Sequence, residues 1–85
     1  MTKTSVHYFV YIVKCRLGTF YTGYTNDIEK RIKAHNSGKG AKYLRGKSPV
    51  ELMYLKKYRT LSDALKAEIR IKRLPRRSKE DLIKS

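Results

Sequence analysis

The sequence predicts a small α+β domain, a three-stranded antiparallel sheet flanked by helices in the order β-β-α-β-α-α. Three observations predict it. Two β-branched and aromatic segments, "HYFVYIVKC" at 7–15 and "TFYTGY" at 19–24, are joined by a short stretch containing Gly18. A third such segment, "PVELMYLKKY" at 49–58, stands apart from them. Helical periodicity fills the space between and after. Eighty-five residues allow one small core, so a single domain over 1–85 is expected.

Residues 7–15 are apolar on both alternating faces, with Phe9, Tyr11 and Val13 on one and Tyr8, Val10 and Ile12 on the other. That pattern suits a central strand covered on both sides. A hairpin with loop residues 16–18 and Cys15 paired with Thr19 sets Val13 opposite Tyr21 and Tyr11 opposite Gly23. Tyr11 and Tyr21 then become diagonal neighbours beside a bare glycine.

Asn26 followed by Glu29 has the spacing of a capping box, and the helix it opens is expected to run to about Gly38. Within it Arg31 and His35 fall on the same inward stripe as Ile28 and Ile32. The third strand, 49–58, is apolar on both faces in its middle. Thr60 and Asp63 mark the next helix start, whose stripe is Leu61, Ala64, Leu65 and Ile71 with Glu68 at its centre. Pro75 ends or kinks that helix, and 76–85 can form a short charged helix docked by Leu82 and Ile83.

Twenty-one Lys and Arg against seven Asp and Glu give a formal charge of +14. Such an excess self-repels unless an anionic partner neutralises it, and nucleic acid is the leading candidate. No apolar run approaches the roughly 18 residues that span a bilayer, so a membrane partner is not expected. A single cysteine, Cys15, fits a reducing compartment and a buried small hydrophobe, and no signal peptide is evident, so cytoplasmic residence is expected. "AKYLRGKS" at 41–48 nearly matches a phosphate-binding loop, but Pro49 and a strand follow where a helix is required, so the match is read as chance. Lys39, Lys42, Arg45 and Lys47 around it, together with Lys72, are candidate contacts to a nucleic-acid backbone.

An inward Arg31, His35 or Glu68 could each snorkel to water, and an Arg31 to Glu68 ion pair would explain two of them structurally. The functional alternative is phosphodiester hydrolysis. Tyr11 or Tyr21 would supply the base, Arg31 the phosphate clamp, and Glu68 one carboxylate for a Mg²⁺ or Mn²⁺ ion that keeps most of its waters. A tyrosine with its ordinary pKa of about 10 is a poor base at neutral pH. Cationic charge from Arg31, the metal and neighbouring lysines is expected to favour the phenolate.

"VYI", "YTG", Arg31, His35 and Glu68, in this order and over nearly the whole chain, resemble the GIY-YIG nuclease superfamily, in particular its small stand-alone bacterial members. The resemblance implies that Tyr11 activates the nucleophile and that Tyr21 and Gly23 form the second motif. It further implies that Arg31 binds phosphate, that His35 assists Tyr11 or positions water, and that Glu68 holds a single divalent ion. This chain departs from the family pattern in reading Val10-Tyr11-Ile12, in carrying Thr22 where isoleucine is usual, and in having no asparagine after Glu68. The activity implied by the resemblance is that of a metal-dependent endonuclease, with DNA favoured over RNA; sequence specificity would come from substrate shape, from a protein partner, or be absent. The alternatives are a catalytically weak or inactive nucleic-acid-binding module of the same fold and an RNA- or ribosome-associated protein.

Overall fold

The computed structural model describes residues 7–37 and 49–84. Its elements follow the expected order: β1 (Tyr8–Lys14), β2 (Phe20–Thr25), α1 (Ile28–Asn36), β3 (Glu51–Tyr58), α2 (Leu61–Lys72) and α3 (Arg76–Lys84). The three strands form one sheet in the order β2-β1-β3, with both pairings antiparallel.

The hairpin closes as its sequence requires. Cys15 N donates to Thr19 O at 2.8 Å and Gly18 N to Cys15 O at 2.8 Å, and Gly18 adopts φ +90°, a conformation that only glycine enters cheaply. Val13 therefore pairs with Tyr21 and Tyr11 with Gly23. Val10, Tyr11, Ile12 and Val13 are all buried, so β1 is the covered central strand.

The two faces of β1 build two halves of the core. Val10 and Ile12 pack with Ala64, Ala67 and Ile71 of α2, joined by Leu82 and Ile83 of α3. Tyr11, Val13, Cys15 and Val50 form the opposite half, against Ile28 and Ile32 of α1. Cys15 is thus the buried small hydrophobe that its isolation suggested. Arg76 fastens α3 to the hairpin: its guanidinium lies 4.3 Å from the Phe20 ring centre, and Nη1 donates to Gly18 O at 3.0 Å.

Several local expectations change. Asp27, not Asn26, caps α1, since its side chain accepts from Lys30 N at 3.1 Å while its own N–H donates to Thr25 Oγ1 at 3.1 Å. The Thr25 hydroxyl thereby shifts the helix start by one residue, and Glu29 falls out of capping range. Ser37 follows the last turn, its N–H bonded to Lys33 O at 2.9 Å, while Gly38 lies outside the described residues. Asn36 Oδ1 accepts from Val50 N at 2.7 Å, which ties the end of α1 to the approach to β3. β3 is an edge strand, so Leu52 and Leu55 stay about two-fifths exposed rather than covered.

Thr60 caps α2 as expected, accepting from Asp63 N at 3.1 Å. The buried stripe is Ala64, Ala67 and Ile71, with Leu65 half-buried and Leu61 exposed. Small side chains at 64 and 67 let α2 approach the sheet, and Leu61 in its first turn does not reach the core. No helix among the described residues is long and apolar enough to cross a membrane.

Candidate active site

Each strand position on the α1 side of the hairpin contributes one part of a cleft. β1 supplies Tyr11, β2 supplies Tyr21 and Gly23, α1 supplies Arg31, and α2 brings Glu68 from across the β2 edge. The cleft has a volume of about 490 Å³. A second hollow of about 280 Å³ shares Thr25, Asn26 and Arg31 with it and adds Lys30, at the start of α1.

His35 lies behind the cleft wall rather than on it. Its Nε2 is 2.9 Å from the Tyr11 hydroxyl, and it is 1% exposed. The Tyr11, Tyr21 and His35 rings form a triangle, with centroids 6.4, 5.9 and 5.7 Å apart. Gly23 makes that triangle possible. A Cβ there would stand 2.6 Å from the Tyr11 oxygen and 2.9 Å from its Cζ, closer than atoms can pack. The polar stripe on α1 is therefore a tyrosine-histidine pair buried under the helix, with Arg31 at its open end.

Burial dominates the electrostatics of this pair. Burial pushes the Tyr11 phenol well above its usual range, with Tyr21 adding to the effect, and Arg31 offsets only part of it. Arg31 alone does not produce a phenolate here, because one partly solvated guanidinium cannot outweigh removal of the ring from water. His35 is held below its ordinary pKa, first by burial and then by Arg31, so its imidazole is neutral at pH 7.

The Arg31 to Glu68 ion pair, the structural alternative for these two residues, is not formed among the described residues. Glu68 Oε2 lies 3.2 Å from Lys72 Nζ, one turn along α2. Arg31 and Glu68 instead face one cleft from different elements. Lys72 thus sits against the carboxylate, and Lys39, Lys42, Arg45 and Lys47, like the 41–48 loop, lie outside the described residues. Among the described residues no group of three or more His, Cys, Asp or Glu gathers. Glu68 is the one carboxylate among the described residues lining the cleft.

Sequence reasoning missed part of the lining: Tyr8, Tyr24, Thr25, Asn26 and Leu61 also border the cleft. Strand alternation assigns Tyr24 to the face opposite Tyr21, and only the position of α2 across the β2 edge brings both to one opening. An available signal was Tyr24 itself, an aromatic directly after the motif glycine.

Comparison with known proteins gives the same picture. The family model of the GIY-YIG catalytic domain matches residues 7–81. The chain is 51% identical over 76 residues to a UPF0213 protein of Oceanobacillus iheyensis, covering 89% of this chain and 88% of that one. It is 48% identical over 73 residues to a UPF0213 protein of Halobacterium salinarum, covering 86% and 95%. Two solution NMR structures share the fold. A UPF0213 protein of Bacillus halodurans aligns with TM-score 0.61 at 45% identity, covering 92% of this chain and 83% of that one. A protein of E. faecalis, EF2693, aligns with TM-score 0.63 at 43% identity, covering 99% and 88%. With Tyr11, Tyr21, Gly23, Arg31 and Glu68 on one cleft, His35 bonded behind it, and relatives of similar length, this chain belongs to the GIY-YIG family, among the small UPF0213 proteins.

Proposed function

We propose that the protein is a divalent-metal-dependent endonuclease that hydrolyses phosphodiester bonds, with DNA favoured over RNA as substrate. The observation that supports this reading best is the convergence of the buried Tyr11–His35 pair, Arg31 and Glu68 on one open cleft of a protein of charge +14.

Arg31 neutralises and orients the phosphate. The Tyr11 oxygen accepts a proton from the attacking water while its own proton passes to neutral His35 Nε2, so no free phenolate has to exist beforehand. This relay needs the His35 tautomer that leaves Nε2 unprotonated, and burial of the imidazole keeps that nitrogen available at pH 7. A single carboxylate bordering an open cleft suits Mg²⁺ or Mn²⁺, hard ions that retain waters, and Glu68 would hold it. The ion would supply charge neutralisation at the leaving oxygen. The products would be a 5′-phosphate and a 3′-hydroxyl.

Supercoiled plasmid and branched DNA incubated with Mg²⁺, Mn²⁺ or EDTA test the proposal. Cleavage with either metal and none in EDTA is the expected result. Salt-sensitive binding with no cleavage under any condition favours a second reading, a non-catalytic nucleic-acid-binding module. Two observations favour that reading: the elevated phenol and the Lys72 ammonium already seated on Glu68.

A further inference from the structure

Two side chains at the cleft mouth have no task in the hydrolytic scheme. Tyr24 is 37% exposed and Leu61 41% exposed, both line the opening, and neither joins either half of the core. Scattered exposed apolar residues are ordinary on a surface. Here, however, they border the same cleft as Arg31 and Glu68, where solvation of charge would favour polar neighbours.

A polynucleotide presents two chemically distinct surfaces, phosphates and base faces. Arg31 suits the first, and an exposed phenol ring with a leucine at the same opening suits the second. In a duplex the base faces are covered by their neighbours, so a side chain beside the scissile phosphate reaches one only when that nucleotide is unpaired or extruded. Tyr24 is also well fixed for stacking. Its backbone pairs with Val10, which is fully buried, and a tyrosine has only two side-chain torsions to immobilise. β2 is an edge strand of the sheet, so Tyr24 sits at the sheet's margin, where the cleft is bordered by Leu61 and Glu68 of α2.

We infer that Tyr24, with Leu61 bordering the same opening, stacks an unpaired base beside the phosphate held in the cleft, so that the substrate class is nucleic acid with a single-stranded or extruded nucleotide at the point of attack. The inference rests on the cleft being a phosphodiester site, and it adds a specificity-determining residue outside the Tyr11, Tyr21, Arg31, His35 and Glu68 set.

The test is binding in EDTA, where cleavage cannot interfere. Fluorescence anisotropy at matched salt compares a short labelled single strand, its blunt duplex, and the same strand with abasic sites. Tyr24→Ala should weaken single-strand binding by about ten-fold, within the range of base–aromatic stacking, and leave duplex binding within about two-fold. Tyr24→Trp should restore it, and the wild-type protein should bind the abasic strand as weakly as Tyr24→Ala binds the intact one. Leu61→Ser, at an exposed helix start, should show a smaller loss of the same kind. Equal losses on single strand and duplex, or no loss on either, would overturn the inference. Selective loss in EDTA by a protein whose wild type never cleaves would uphold the stacking site and remove the nuclease reading. Metal-dependent cleavage with unchanged single-strand binding by Tyr24→Ala would do the reverse.

Discussion

The Tyr11 hydroxyl stands 2.9 Å from His35 Nε2, and both residues are 1% exposed, so a titratable pair is buried between the sheet and α1, with Tyr11 bordering the cleft. Its two members respond to burial in opposite directions. His35 is lowered by burial and by Arg31, so the unfolded chain takes up a proton before the folded protein does. Its contribution to stability is therefore full above about pH 6.5 and lost as pH falls through the lowered folded value. Tyr11 is raised by burial, so its contribution is full below about pH 10 and lost as pH rises beyond it. Melting curves from pH 5 to 8 should show an acid limb that His35→Gln flattens. Identical acid slopes in both proteins would mean that His35 does not titrate with unfolding.

Tyr11→Phe keeps the ring and deletes the oxygen that reaches His35. The imidazole nitrogen then loses its hydroxyl partner in a buried site, at a cost of about 1–3 kcal/mol. If Tyr11 relays the proton, cleavage should fall by about two orders of magnitude or more, with nucleic-acid binding retained. Quench-flow or gel assays beside a binding titration separate the two effects. A wild-type cleavage rate would remove Tyr11 from the chemistry.

Gly23→Ala places a methyl group 2.6 Å from the Tyr11 oxygen and 3.1 Å from Tyr21 Cε2. Both rings must shift, and Tyr11 has little room because it is buried. A loss of about 1–3 kcal/mol is expected from overpacking, together with weakened cleavage. In a Tyr11→Phe background the nearest clashing atom is gone, so the same substitution should cost less there. Denaturant titration of the four proteins of this cycle measures the difference.

The parts of this fold legible in the sequence are those fixed by local rules. Alternation in 7–15, together with Gly18, determined the hairpin register, and with it the meeting of Tyr11, Tyr21 and Gly23. Periodicity placed His35 inward. What sequence reasoning missed depended on tertiary context. The Thr25 hydroxyl selects Asp27 over Asn26 as cap. Leu61 lies on the apolar stripe by spacing, yet it lines the cleft mouth instead of the core. The state of Tyr11 depends on the balance of desolvation against Arg31, which spacing cannot reveal.

Thr22, where the family usually has isoleucine, is 3% exposed, and its Oγ1 finds no hydrogen-bond partner among the described residues. An unpaired buried hydroxyl is a liability. Thr22→Val preserves the shape, removes the hydroxyl, and keeps the β-branched character a strand favours, so it should stabilise the protein by about 1 kcal/mol. A raised melting temperature with unaltered nucleic-acid binding is the expected outcome. A lowered one would show that the hydroxyl is satisfied in solution.

Glu68 and Lys72 give the sharpest test, because their 3.2 Å pair can be broken from either side. The Lys72 side chain is 50% exposed and the Glu68 side chain 13%, so the pair is a helix-surface contact of about 0.2–0.5 kcal/mol, to be discounted further for screening. Glu68→Gln should therefore melt close to wild type, yet abolish metal-dependent cleavage if its carboxylate holds the ion. Lys72→Gln leaves the carboxylate and removes the competing ammonium. If Lys72 only shields Glu68, this variant should need less Mn²⁺ for half-maximal cleavage, while losing one phosphate contact if Lys72 also touches nucleic acid. The slope of log affinity against log salt would then fall by about 0.7–0.9. Should Lys72→Gln instead require more metal, Lys72 positions Glu68 rather than competing for it. Should Glu68→Gln cleave normally and melt lower, the carboxylate serves only α2, and the metal assignment fails.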